Sequence, residues 1–191
     1  MKFSHVSEEL RKHRTAKSGR SMNAAMRVQE IWSAVEESTL TSIGKIFLSI
    51  ENLERPVDGM FVRLANLGDG PDMAHIFIHR ELPAHWREFV AVKEIMHCFT
   101  PPEKFASTPL AVSQLFDELS DVDMPYTPRI AADDDGILAA AEMILPHNIV
   151  ESMIAAGMEM EQIAIHHGLH PDVVKFICRL DIIHARKNGS F

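Results

Sequence analysis

Lys93, Glu94 and His97 fall within little more than one helical turn in the stretch AVKEIMHCF, residues 91–99. With His in place of Lys93 it would read His-Glu-x-x-His. In that motif two imidazoles one turn apart bind zinc, and the Glu between them is the general base. Here an ammonium holds the first ligand position, while Glu94 and His97 keep theirs. A lysine ammonium has three donors and no lone pair. It becomes a ligand only by losing its proton, against an ordinary pKa of about 10.4. On a helix, Lys93 and His97 stack one turn apart with Glu94 beside them. The three polar groups project from an otherwise apolar helix, and burial without partners is costly, so nearby groups should answer them. The plainest reading makes His97 a satisfied core histidine and lets Lys93 reach outward along its stem.

The elements that must position these groups follow from periodicity and punctuation. Residues 21–37 place Met22, Ala25, Met26, Trp32 and Val35 near helical spacing, and Ile43, Ile46, Phe47 and Ile50 extend that period into a second helix before ERPVDG breaks it. The period then changes. Residues 60–65 and 73–79 read as two strands around Gly-Asp-Gly-Pro, forming a small antiparallel sheet. A helix from Pro83 to Phe99 carries the motif and is stopped by Thr-Pro-Pro. A further helix is expected at 108–120, capped by Thr108, and residues 121–131 read as loop. Asp133, Asp134 and Asp135 open the next helix at its positive end. Three short helices follow Pro146, at 147–156, 159–167 and 171–186. The predicted class is α+β, predominantly helical.

The 191 residues suit one large domain with a core, 46% hydrophobic and 24% charged, as in ordinary globular proteins. The longest apolar runs are too short to span a bilayer, and the N-terminus has no secretory signal pattern. Cys98 and Cys178 form no CxxC pair and read as buried thiols in a reducing cytoplasm. The net charge of −8 argues against a protein that coats nucleic acid. Residues 1–20 nonetheless carry +4, read here as a basic N-terminal arm, which leaves −12 on the remainder.

HIFIHRELPAHWREFVAVKEIMHCF, followed by DDDGILAAAEMILP, resembles the ImmA/IrrE-type metallopeptidase family across about residues 60–181. Arg87 and Phe89 precede the motif, and Ala139, Ala140, Ala141, Glu142 and Pro146 match the family's later helix. The resemblance implies a zincin-like motif helix, an acidic third ligand from the later helix, and a helix-turn-helix-like C-terminal piece that is largely structural. Anchored on Pro146, the family's acidic positions fall on Asp133 and Asp135. The departures are Lys93 for the first His, Ile137 at the family's Asn position, and the inserted helix at 108–120. His97 and one aspartate are too few for a tight zinc site. Near Asp133, Asp134, Asp135 and Glu94 the lysine is favoured in its charged form. Its ammonium is expected to stand where the metal's charge would be, tying Glu94 to one aspartate. No cofactor is expected, and Glu94 is a vestigial base. The alternative is a working metallopeptidase with zinc on His97 and Asp135 and Glu94 activating water.

The chain is expected to divide into the basic arm at 1–20, a metallopeptidase-like domain at 21–146 and a C-terminal helical subdomain at 147–191. It implies a regulatory, protein-binding module in phage, mobile-element or stress control, with a helix-turn-helix repressor as the expected kind of partner. Lys175 and Arg179 on the second C-terminal helix, with Arg186 and Lys187 past its end, are the candidate phosphate contacts of a DNA-binding alternative. Glu159 and Glu161 oppose it, so neither DNA nor a membrane is expected as a partner. His75, His79, His85, His147, His166, His167 and His170 lack ligand spacing with His97 and read mostly as surface histidines.

Overall fold

The structure is a computed structural model that describes residues 1–66, 68–101 and 128–191. The expected helix at 108–120, its Thr108 cap and most of the 121–131 loop lie outside the described residues. The architecture is α+β and predominantly helical, with helices α1 (Phe3–Ser18), α2 (Val28–Glu36), α3 (Ala84–Met96), α4 (Pro128–Ile144), α5 (His147–Ala155), α6 (Met160–His167), α7 (Pro171–Ile177) and α8 (Leu180–Asn188). A short 3-10 turn, His97–Phe99, extends α3. Strands β1 (Ile43–Glu51), β2 (Gly59–Leu64) and β3 (Asp72–His79) form one sheet in the order β1-β3-β2. No single helix among the described residues is long and apolar enough to cross a membrane.

The sheet is mixed: β2 runs antiparallel to β3, as expected, but β1 joins the other edge in parallel. This corrects the helix read at 43–50. Ile43 pairs with Asp72 and Ile46 with Ala74, because the register shifts between Ile43 and Lys45. Their partners lie two residues apart, so Ile43 and Ile46 share one face although three positions separate them. The irregularity converts a strand's period of two into an apparent helical spacing. Both isoleucines are buried, while Phe47 and Ile50 are exposed.

Residues 1–20 are not a free arm. Helix α1 buries Phe3, Val6 and Leu10 in the common core. Its Arg11 guanidinium donates to the carbonyls of Ala24 (2.6 Å) and Met143 (2.6 Å), and Arg14 donates to Ala24 (3.1 Å) and Ala25 (3.2 Å). These two arginines, counted from sequence as part of a basic surface, are 2% and 4% exposed. A guanidinium fits this position because its fork of donors satisfies several carbonyls at once.

Helix α3 buries Phe89, Val90, Val92, Ile95 and Met96 in the common core. Helix α4 is already formed at Pro128, earlier than expected, so Asp133–Asp135 lie at least one turn inside it and away from its positive end. The single C-terminal helix expected at 171–186 is two. It breaks at Cys178, and Arg179 precedes α8 in an extended conformation.

Candidate functional site

The facing sides of α3 and α4 bring together Lys93, Glu94, His97 and Asp133. Lys93 Nζ lies 2.5 Å from Asp133 Oδ1 and 3.0 Å from Glu94 Oε1. Glu94 is buried, the Lys93 side chain is 12% exposed, and Asp133 reaches in from a half-exposed position. Burial works to lower the Lys93 pKa, yet the carboxylates of Glu94 and Asp133 outweigh it and hold the ammonium above the ordinary lysine range. His97 Nε2 is 3.8 Å from Glu94 Oε2, and its Nδ1 pairs with the Thr100 hydroxyl at 3.3 Å. Burial pushes the His97 pKa down; the nearby ammonium adds to this and Glu94 opposes it. One imidazole nitrogen thus rests on Thr100 and the other is turned toward the acids.

Two glycines permit this convergence. A Cβ on Gly136 would lie 3.1 Å from His97 Cε1 and 3.4 Å from Lys93 Cγ, so the bare backbone of α4 presses against the site. A Cβ on Gly59 would lie 2.7 Å from Glu94 Oε1 and 2.5 Å from Val90 Cγ1, which brings β2 equally close from the other side. Phe61, two residues along β2, places its ring 5.9 Å from that of His97. Gly59, Gly136 and Thr100 are the positioning residues that sequence reasoning missed. A glycine inside the pattern of α4 was the available signal, because such a residue in a helix usually has a packing reason.

Of the three aspartates, Asp133 is the one that meets Lys93. Asp134 is exposed and Asp135 is partly buried. At this site Glu94, His97 and Asp133 each offer a ligand atom within 4.8 Å of the other two. Asp133, two positions before Asp135, is thus the acidic position from the later helix that joins Glu94 and His97.

These three groups are zinc-ligand types, but the set does not fit a resident zinc ion. The ammonium sits against two of the three. A dication about 4 Å from it would be repelled by on the order of 8 kcal/mol at an effective dielectric of about 20. The lysine would have to leave or lose its proton, and the carboxylates oppose both. What the arrangement does chemically is neutralise a buried carboxylate and fix α3 to α4.

The C-terminal candidates are placed differently. Lys175 pairs with Glu161 at 3.2 Å, and Arg179 makes a two-pronged contact with Asp181 at 3.1 and 2.6 Å. Arg186, grouped from sequence with the surface cations, is buried and donates to the carbonyls of Ala141, Leu145 and Ile177. The histidines are not all surface groups either. His79 is buried, His147 bonds Glu142 at 3.0 Å, and His167 Nδ1 accepts from the Ala25 amide at 3.3 Å. Comparison with protein-family models, curated proteins and solved structures gives no match for this chain.

Proposed function

We propose that this chain is a catalytically degenerate relative of the ImmA/IrrE-type metallopeptidases that acts by binding a protein. The observation that carries the reading is the Lys93 ammonium, 2.5 Å from Asp133 and 3.0 Å from Glu94. It stands among the groups that would hold a metal and takes over the charge compensation that a metal would provide. Glu94, the would-be base, is tied into an ion pair and cannot activate water. The partner class is a helix-turn-helix repressor of phage, mobile-element or stress control, on the strength of the resemblance. Against the DNA-binding alternative stand the carboxylates that already engage Lys175 and Arg179 and the burial of Arg186. In this reading the C-terminal helices are packing elements.

The test is a hydrolysis assay with excess zinc, using labelled denatured protein and purified repressors as substrates, with Glu94→Gln as the reference. Wild type and reference are expected to be equally inactive, and the same repressor set is then screened for saturable binding. Zinc-dependent cleavage that disappears in Glu94→Gln would return the chain to the working peptidases. No binding to any helix-turn-helix repressor would remove the proposed partner class.

A further inference from the structure

The other end of α3 carries a second cluster, which the proposed function does not use. His85, in the first turn of α3, lies against His170, the residue that caps α7. Their rings are stacked with centroids 3.6 Å apart and planes 3° from parallel. Asp172 Oδ2 stands 3.8 Å from His85 Nε2 and 3.7 Å from His170 Nδ1. One ligand atom from each of the three lies within 4.8 Å of the other two. His85 Nε2 is shielded from solvent and has no hydrogen-bond partner among the described residues. A buried nitrogen left without a partner costs free energy unless something binds it. Both histidines also line a cavity of about 450 Å³, walled by Met26, Phe89, Val92 and Leu169.

We propose that His85, His170 and Asp172 form a binding site for a divalent transition-metal cation of the zinc class. Two imidazoles and one carboxylate suit zinc, cobalt or nickel and not magnesium or calcium. Tetrahedral zinc with bonds of about 2.0–2.1 Å separates its ligand atoms by about 3.4 Å. The observed 3.7 and 3.8 Å therefore need a contraction of only a few tenths of an ångström. The parallel stack is the part that must change, because an imidazole lone pair lies in the plane of its ring. Two stacked rings cannot both aim at one ion between them. His170 is the ring free to turn: its side chain is 44% exposed, against 21% for His85. In turning it gives up the bond it accepts from the Asp172 amide at 3.2 Å, a helix cap of the kind worth about 1 kcal/mol. The bound ion would clamp the start of α3 to the turn between α6 and α7, beside the cavity. The site lies about 12–18 Å along α3 from the Lys93 cluster, and the inference does not depend on the proposed function.

Calorimetric titration with zinc, repeated with cobalt to read its absorption spectrum, tests the assignment. Wild type is expected to bind one equivalent, with the proton resonances of the two rings shifting as the stack opens. His170→Asn keeps a capping side chain but supplies no imidazole, and His85→Gln removes the orphaned nitrogen. Each should weaken binding by at least about tenfold, while His97→Gln leaves it unchanged. Absence of saturable binding in wild type overturns the proposal, as does undiminished affinity in His170→Asn. Loss of binding in His97→Gln, with both other variants unaffected, would place the ion at the Lys93 cluster and overturn this site and the degenerate reading together. Failure of the cluster alone leaves the Lys93 reading standing.

Discussion

At its C-terminal end α3 carries a cation held between its own Glu94 and Asp133 of α4; at its N-terminal end it carries an imidazole nitrogen with no hydrogen-bond partner among the described residues. The difference follows from what each group becomes when water is removed. Lys93 keeps its charge in burial because the carboxylates of Glu94 and Asp133 compensate it, since an isolated buried charge is prohibitive. His85 and His170 are enclosed only in part, and the one carboxylate beside them, Asp172, stands 3.8 and 3.7 Å away on the exposed side. Charged groups at the buried end are committed to each other.

The largest expected effect comes from removing the cation at the closed end. Lys93→Met leaves Glu94 buried and uncompensated, and should destabilise the fold by about 3–5 kcal/mol in urea unfolding. Adding Glu94→Gln should recover much of that loss. If the single variant is as stable as wild type, the ion pair is not what holds α3 to α4.

Next in size is the conversion of the closed end into an open one. In Lys93→His two imidazoles one turn apart would face Asp133, supplying three ligands and leaving a fourth position for water. This variant should take up one zinc more than wild type. Zinc at a hundred times the dissociation constant should stabilise it by about 2.7 kcal/mol, or about 2–4 °C in Tm for each kcal/mol. Absence of the extra equivalent would mean that the orientation of Asp133 serves the lysine alone.

Gly136→Ala probes the close approach of α4. Crowding His97 should cost about 1–3 kcal/mol, opposed by a helix-propensity gain of up to about 1 kcal/mol. A net loss is expected. A variant more stable than wild type would show that the helices can part without harm.

The smallest effect is a slope. The His97 pKa is pushed below its ordinary value of 6.5 in the fold, so the unfolded chain takes up a proton that the folded chain refuses. Stability is therefore complete above about pH 6.5 and declines as the pH falls below it. His167, whose pKa burial pulls down to about 4, adds to the same acid limb. His97→Gln should flatten part of that limb in pH-dependent unfolding. A profile identical to wild type would mean that His97 protonates in place. Lys93 acts at the other extreme: its pKa is raised in the fold, so its contribution is complete below the ordinary lysine range and fades only above it.

Legibility from sequence follows the range of the interactions. The motif helix, the hairpin strands and the helices expected at 147–156 and 159–167 rest on local periodicity and turn residues, which one chain displays directly, whereas the helix expected over 21–37 begins only at Val28. Strand β1 defeated that logic because the register shift at Ile43–Lys45 is a property of the pairing with β3. The choice of Asp133 over Asp135 depends on the phase with which α4 faces α3, which no local pattern encodes. His85 and His170 looked like solitary surface histidines because 85 residues separate them and only the fold stacks them. Charge was legible in amount but not in place: Arg11, Arg14 and Arg186 count as surface cations in the sequence and are structural donors to buried carbonyls in the fold.

Helix α1 has a consequence for the order in which the molecule can be made. Arg11 reaches the carbonyl of Met143, 132 positions later in the chain. At synthesis rates of about 5–20 residues per second, on the order of ten seconds pass between the two. Throughout that interval the apolar face of α1, with Phe3, Val6 and Leu10, has no α4 to rest on. Helix α1 therefore completes its packing only after α4, more than a hundred residues later in the chain, has been made.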